Sequence, residues 1–148
     1  METSREQTIE TLLVSVNRLI RTAVRATGNT TSPAVWRTLG ILETEEPLRL
    51  GELAAASRVA QPTMTRLVSS MLDDGLVVRE VDPDDSRGQL ISLTDAGRDR
   101  LVAWRATLTR TVGPMFADLS DDEWDALHEA AAVITSRSST TTRTEITA

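Results

Sequence analysis

The stretch from Gly75 to Gly97, GLVVREVDPDDSRGQLISLTDAG, limits the possible folds more than any other part of the sequence. Residues 76–81 alternate as the side chains of a strand do, and Ile91 and Leu93 fall on one face of a return run. The DPDDSRG segment between these runs consists of residues that favour turns. Because this segment is longer than the two residues of a tight hairpin, we expect two strands joined by a longer charged loop.

Arg87 lies at the far end of this loop, two residues after Asp85. At that spacing a carboxylate can bind a guanidinium through charge-assisted hydrogen bonds, which hold both groups in a defined geometry. We therefore expect Asp85 to brace Arg87 so that the arginine points away from the strands. Two strands with an outward arginine at the tip are typical of a wing that contacts DNA.

Hydrophobic spacing predicts two helices in the N-terminal part of the chain. The first spans about residues 5–27 and ends at Gly28, because glycine readily adopts the left-handed conformation found after helices. Ser32 and Pro33 suit the cap and the first position of a second helix. Pro47 ends that helix because it cannot continue the backbone hydrogen bonds.

Four more helices flank the predicted strands. LGELAAAS predicts a short third helix, and a fourth spans about Gln61 to Asp74 with its apolar residues on one side. After the strands, Thr94 is placed to cap a fifth helix, which Gly113-Pro114 should break or kink. Ser120 and Glu123 form a capping box that opens a sixth helix.

Composition indicates one small domain. The 148 residues include no cysteine, which excludes disulfides and thiol redox sensing. The N-terminus is polar and no apolar run is long, so we expect neither a signal peptide nor a membrane span, and a cytoplasmic location. The segment at about residues 137–148 has almost nothing to bury and is expected to be disordered.

The net charge of −6 argues against a DNA-binding protein, because an acidic chain repels phosphate. The local distribution argues the other way. Residues 53–72 contain no acidic side chain, and Arg58 and Arg66 give that segment a charge of +2. A chain that is acidic as a whole can therefore present a basic face.

The start of the fourth helix carries side chains suited to reading DNA, because short polar groups and arginine reach base edges and phosphates from the major groove. Gln61 can make a bidentate contact to adenine, and Arg66 can reach guanine or phosphate. Thr63 and Thr65 can reach phosphate or a thymine methyl group, although a solvated surface role is equally open to them. The candidate DNA-binding residues are Arg58, Gln61, Thr63, Thr65, Arg66, Ser69 and Arg87.

The pattern D-P-x-D-x-R-x-x-x-(apolar)-x-L-T-x-x-G is similar to the wing signature of the MarR family of bacterial transcription regulators. It is formed here by Asp82, Pro83, Asp85, Arg87, Leu93, Thr94 and Gly97. The upstream segment LGELAAASRVAQPTMTRLVSSMLDDGLVVRE resembles the helix-turn-helix of that family, and the resemblance covers roughly residues 5 to 137.

Two positions depart from the pattern of the family. Ser86 stands where a second wing arginine is often found, which should weaken attraction to the DNA backbone or minor groove. Ala60 stands where a serine often opens the recognition helix, and the missing cap hydroxyl costs about 1 kcal/mol.

The resemblance implies a mainly α, winged helix-turn-helix fold with a two-stranded β wing and a connecting helix at about residues 32–112. It also implies N- and C-terminal dimerisation helices at about 5–30 and 115–137. The expected function is that of a homodimeric repressor that binds double-stranded DNA at an inverted-repeat operator. The apolar residues expected to meet across the dimer are Leu127, Ala130 and Ile134 of one chain and Ile9, Leu13 and Val16 of its partner.

The family resemblance further implies a small aromatic or amphipathic effector that releases the DNA. Trp36 and Trp104 are candidates for the apolar wall of its cleft, with Arg18 or Arg21 as the partner of an anionic group. The tryptophans Trp36, Trp104 and Trp124 are first of all expected to be core residues.

An enzyme is not indicated, because no nucleophile elbow, phosphate-binding glycine loop or zinc-protease motif is present. His128 lies near Asp125 and Glu129, but a lone histidine on a helix is more often solvated than a metal ligand. We therefore predict no catalytic residue, no metal and no cofactor. The alternative function is a winged-helix protein-interaction module that does not bind DNA.

Overall fold

A computed structural model describes residues 4–144 of the chain, with side chains described through residue 139. The chain divides into two compact units, Met1–Thr111 and Val112–Ala148. The elements up to the unit boundary are α1 (Arg5–Thr27), α2 (Pro33–Glu45), β1 (Leu48–Arg49), α3 (Leu50–Ser57), α4 (Gln61–Asp73), β2 (Val77–Asp82), β3 (Asp85–Leu93) and α5 (Asp95–Val112). A short 3₁₀ turn (Gly113–Phe116) and α6 (Asp121–Thr144) follow.

Local capping explains where the first two helices begin and end. Ser4 and Gln7 form a capping box at the start of α1, and Gly28 ends it in the left-handed region at φ 64°. The Ser32 hydroxyl accepts the Ala34 amide at the start of α2, as the sequence predicted. These three helix boundaries follow from short-range chemistry alone.

The sheet has three antiparallel strands in the order β1-β3-β2. Strand β1 was not predicted, since two residues are too few to show an alternating pattern. It pairs Leu48 with Ile91 and Arg49 with Leu90, so the wing is joined along one edge to the segment that precedes α3. The strands β2 and β3 form the predicted two-stranded wing.

The connection between β2 and β3 is shorter than the sequence predicted. Asp82 pairs with Asp85, which leaves Pro83 and Asp84 as a two-residue connection, with a register irregularity between Val81 and Asp82. The Asp82 carboxylate accepts the Asp84 amide at 2.9 Å and so closes the turn. The expectation of a long loop was wrong because the turn-favouring residues after Asp84 continue the ladder of β3.

The core of the first unit lies between α2, α3, α4, the sheet and the start of α5. Its members are apolar residues that are almost or wholly inaccessible to solvent: Leu39, Leu42, Leu53, Ala54, Met64, Val68, Met71, Leu76, Val77, Ile91, Leu93 and Leu101. The predicted apolar stripe of α4 is buried here, except that Leu67 is only partly buried. This packing leaves the opposite face of α4 exposed.

The second unit consists of the 3₁₀ turn and α6. The Ser120 and Glu123 capping box forms as predicted, and Phe116 contacts Trp124 at a ring distance of 6.3 Å. Trp124 was expected in the core, but 49% of its surface is exposed. The unit is too small to cover this helix face by itself.

Helix α6 extends to Thr144 and so differs from the disordered tail predicted from about residue 137. The hydroxyl groups of Ser138 and Ser139 donate to carbonyl groups one turn earlier, those of Ile134 and Thr135. These hydroxyl groups therefore form their hydrogen bonds within the helix and need no buried partner. Residues 145–148 of the predicted tail lie outside the described residues.

Candidate nucleic-acid interface

One buried and one partly buried hydrogen bond hold the turn between α3 and α4. Arg37 donates to the carbonyl of Ser57 at 2.8 Å, and the hydroxyl groups of Thr38 and Ser57 share a hydrogen bond at 3.2 Å. The next residue, Arg58, adopts a left-handed conformation at φ 56°, which is unfavourable for a residue with a side chain. Its side chain is exposed, as a DNA contact requires.

Helix α4 presents its polar residues on the face opposite the core. Gln61, Thr63, Arg66 and Ser69 are all exposed. The Thr65 hydroxyl is also exposed, but it donates to the carbonyl of Gln61 at 3.0 Å, so its one proton is already engaged. Five of the predicted DNA-contacting residues are therefore exposed on α4.

The first turn of α4 has no side-chain cap, because Ala60 occupies the N-cap position. The amides of this turn stay available to an outside acceptor, and helix N-termini favour anions. No acidic residue lies in that turn. The start of α4 is therefore electrostatically compatible with a phosphate backbone.

The predicted contact between the Asp85 carboxylate and the Arg87 guanidinium is not formed. Asp85 instead accepts the backbone amide of Arg87 at 3.0 Å. Among the side chains that the structure describes, no carboxylate forms an ion pair with Arg87, which is exposed near the wing tip. The short turn explains this difference, because Asp85 and Arg87 lie in the same strand and Asp85 orders the backbone between them.

The carboxylate that anchors the wing is Asp82, which is 4% exposed. It accepts hydrogen bonds from Arg49 at 2.7 Å to Nε and 2.6 Å to Nη2. The Asp84 amide and the Arg49 guanidinium hold the pKa of Asp82 below its ordinary value, although burial opposes this. Sequence reasoning noticed Asp82 only as part of a motif, and the partner 33 residues earlier gave no local signal.

The base of the wing is joined to α5 through Thr94 and Gly97. The Thr94 amide donates to the Leu76 carbonyl at 3.1 Å, and its hydroxyl donates to the Gly75 carbonyl at 2.5 Å. The Gly97 amide donates to the Thr94 hydroxyl at 3.0 Å. A Cβ at residue 97 would overlap the Leu76 carbonyl oxygen. The L-T-x-x-G part of the motif therefore fixes the start of α5 against the start of β2.

Two arginine–glutamate pairs join α5 to the C-terminal end of α2, one to Glu43 in the helix and one to its C-cap, Glu46. Arg105 donates to both carboxylate oxygens of Glu43, at 3.0 and 2.7 Å, and Arg98 binds Glu46. The hydrogen bonds from Arg105 hold the pKa of Glu43 below its ordinary value. The Glu46 carboxylate also accepts the Leu93 amide at 2.6 Å, so these helices and the wing share one polar network.

The predicted effector residues are only partly brought together. Trp36 and Trp104 stack with ring centroids 4.6 Å apart and an angle of 6° between the planes. The Trp36 indole N–H is buried and, among the described residues, has no acceptor. Arg18 and Arg21 are exposed on α1, and no hydrogen bond or cation–π contact to either tryptophan is found among the described side chains.

Comparison with known proteins decides the family of the chain. A family model described as "MarR family" matches residues 30–88. The HTH-type transcriptional regulator Mb0904 of Mycobacterium bovis is 34% identical over 106 residues, which cover 70% of this chain and 74% of that protein. The chain belongs to the MarR family. The resemblance seen in the wing and helix-turn-helix segments is thereby confirmed.

Solved structures agree with this MarR fold. The transcriptional regulator Tm0710 from Thermotoga maritima aligns with a TM-score of 0.68 at 26% identity, over 90% of this chain and 98% of that one. A point mutant of MepR from S. aureus, bound to an oligodeoxyribonucleotide, aligns with a TM-score of 0.60 at 19% identity, over 92% and 99% of the two chains. The winged helix-turn-helix fold of a MarR transcriptional regulator is therefore established for this chain.

Other kinds of site find no support in the described part of this MarR chain. Within residues 4–144, no group of three or more histidine, cysteine or acidic residues is placed to hold a metal ion. Across the same residues, no helix is long and apolar enough to cross a membrane.

Proposed function

We propose that the chain is a homodimeric repressor that binds double-stranded DNA sequence-specifically at an inverted-repeat operator. The observation that carries this proposal is the exposed polar side of α4 beside a wing that ends in an exposed Arg87, which has no ion pair among the described side chains. The helix-turn-helix fold supports DNA as the ligand, and so does the oligonucleotide in the MepR structure.

The reading roles follow from chemistry and exposure. Gln61 and Arg66 are suited to base edges in the major groove, because an amide matches adenine and a guanidinium matches guanine. Thr63, Ser69 and Arg58 are suited to phosphates that border the groove. The Thr65 hydroxyl donates its proton within the helix, so the methyl group of Thr65 is the part suited to contact a thymine methyl group.

Arg87 is assigned to the minor groove, where negative potential is concentrated in narrow tracts. Its guanidinium is free for this role among the described side chains, and Asp85 orders its backbone. Asp82 and Arg49 support the role from the other end of the turn, because they tie the wing to β1.

Homodimer formation is supported by apolar side chains that each unit leaves uncovered. On α1, Ile9, Leu13 and Val16 are 58%, 62% and 43% exposed. On α6, Leu127 and Ile134 are 42% and 41% exposed. Such long apolar faces on both terminal helices are unfavourable in water and are typical of surfaces that a second subunit covers.

An effector site beside the Trp36–Trp104 stack is the less supported part of the proposal. The stack offers an apolar wall, and the buried indole N–H of Trp36 offers a donor to a ligand that carries an acceptor. Arg18 or Arg21 would supply the charge for an anionic group. A ligand there releases DNA only if it binds the DNA-free arrangement more tightly. We propose that this regulation takes place in the cytoplasm.

Selection of bound duplexes from a random pool tests the central proposal. We expect an inverted repeat whose half-site centres lie about 10 base pairs apart, one turn of the helix. Retention of no duplex by a folded protein contradicts DNA binding and favours the protein-interaction module. Titration of salicylate-like compounds, followed by Trp fluorescence and operator release, tests the effector; binding without release counts against it.

Two substitutions separate the reading elements on the selected operator. Arg87→Ala should weaken binding to many sequences and reduce the salt slope by about one unit per chain, because it removes a phosphate-attracting charge. Arg66→Ala should cost about 1–3 kcal/mol at the matching base position and relax specificity there. Wild-type affinity in a folded Arg87→Ala dimer would refute the wing assignment.

A further inference from the structure

A groove of about 180 Å³ lies between the recognition helix α4 and the wing. Its apolar part is formed by Leu50 and by two residues of the buried core, Val68 and Ile91. Thr65 and Ser69 line it from α4, and Arg79 and Gln89 line it from β2 and β3. None of the residues that line the groove is acidic.

The strand register explains why Arg79 and Gln89 reach this groove. Arg79 pairs with Ile91 and Val81 pairs with Gln89, and residues that pair across two strands share a face of the sheet. Because Ile91 is a core residue, this is the face that packs against the helices. The strands of the wing continue past the core, so the same face carries Arg79 and Gln89 into the open end of the groove.

The polar groups of the groove match the chemistry of a phosphodiester. Arg79 offers a forked set of N–H donors, and the Gln89 amide and the Ser69 hydroxyl offer further donors. Among the described side chains, none forms an ion pair with Arg79, so its charge is available to an anion from outside.

The position of the groove indicates which anion it meets. A protein that places α4 in the major groove and Arg87 in the minor groove must span the phosphate strand between them. The groove lies between these two elements, as its lining residues show. We propose that it holds a backbone phosphate of the operator, with the Arg79 guanidinium as its cationic contact and Gln89 as a second donor. This inference rests on the proposed function, because it assumes bound duplex DNA.

Arg79 is therefore a DNA-positioning residue that carries no sequence information. Arg79→Gln should lower affinity about tenfold or more for the selected operator and for unrelated duplex alike, since a hydrogen bond to a charged group is lost. The salt slope should fall by about 0.9 per chain. Gln89→Ala should lower affinity less and leave the salt slope unchanged, because it removes a neutral donor.

The control is Arg100→Gln, which makes the same charge change at an exposed position of α5. A second measurement replaces single operator phosphates with neutral methylphosphonates. At the phosphate held in the groove, the neutral substitution should weaken wild-type binding but cause no further loss in Arg79→Gln. Thermal unfolding of each variant checks that the fold is intact.

The outcomes separate this inference from the proposed function. Suppose that the wild-type protein binds an operator and that folded Arg79→Gln shows the same salt slope as the wild type. This result overturns the phosphate site but leaves the proposed function standing. An equal loss of affinity in Arg100→Gln also overturns it, because the effect would then come from net charge. Failure of the wild-type protein to retain any duplex overturns the proposed function and this inference together.

Discussion

At residue 97, the close packing of the backbone leaves room only for glycine. The carbonyl of Leu76 lies where a Cβ would be, and the Leu93 Cδ2 atom would lie 3.1 Å from it. Because the Leu76 carbonyl also accepts the Thr94 amide, it cannot move without breaking the junction between the wing and α5. Glycine is therefore required here by close approach of two backbone segments.

Gly97→Ala should destabilise the protein by about 1–3 kcal/mol, since the added carbon forces the backbone apart. Gly40→Ala is the matched control, because Gly40 is also helical and its Cβ would meet nothing within 4 Å. That change should stabilise by up to about 1 kcal/mol through helix propensity. Urea unfolding measures both, and a Gly97→Ala variant as stable as wild type would contradict the assignment.

Arg58 combines an unfavourable backbone conformation with a candidate DNA contact. Asparagine tolerates the left-handed region better than arginine, so Arg58→Asn should keep or raise stability by up to about 1 kcal/mol. Arg58→Ala removes the same charge but should not raise the stability in this way. If Arg58 contacts phosphate, both variants should lose the same affinity and salt slope for DNA. Different losses in the two variants would show that the turn conformation, and not the charge, controls binding.

At the level of elements, the sequence predicted most of what depends on neighbouring residues. Periodicity and caps predicted the helices, and the stripe of Met64, Val68 and Met71 faces the core as expected. The two-residue strand β1 and the Arg49–Asp82 pair were missed, because both depend on residues far apart in the chain. Asp85 does not bind the Arg87 guanidinium, because the ladder of β3 continues further toward the tip than turn propensity suggests.

The Asp82 carboxylate ties the turn of the wing to Arg49 of β1, so Asp82→Asn tests how strongly this pair anchors the wing. The change removes a negative charge, which by itself should strengthen DNA binding. A loss of operator affinity would therefore come from displacement of the wing, and we expect that loss. Asp84→Asn makes the same charge change at an exposed neighbour and is the control. Higher affinity in both variants would contradict an anchoring role.

The same variant should change the pH dependence of stability. The folded-state pKa of Asp82 is lowered, so its contribution is present above the ordinary carboxyl value and is lost as pH falls through the folded value. Wild-type stability should therefore decline below about pH 4, and Asp82→Asn should decline less steeply. Some decline should remain, because the pKa of Glu43 is lowered as well. Urea midpoints across this pH range measure the difference, and identical curves would count against the pair.

At the level of the whole molecule, the core and the terminal helices differ in how much of their apolar surface is buried in the chain. The first unit has a core of its own in α2 to α5 and the sheet. No residue of α6 with a described side chain is buried, and along α1 only Ala23 is. In the proposed homodimer, the terminal helices would therefore gain hydrophobic stabilisation from association.

This difference predicts how the protein responds to a charge on α1. Leu13→Glu should weaken the dimer about 100-fold or more, because association would bury an unpaired carboxylate. Val81→Glu is the control, since Val81 is 66% exposed on the wing, close to the 62% of Leu13, and lies outside the terminal helices. Sedimentation at micromolar concentration should give a monomer for the first variant and a dimer for the second. Because each dimer presents two reading helices, the Leu13→Glu monomer should also bind a single half-site as well as it binds the full inverted repeat. A Leu13→Glu variant that stays dimeric and still distinguishes the full operator from the half-site would place the dimer contact on another surface.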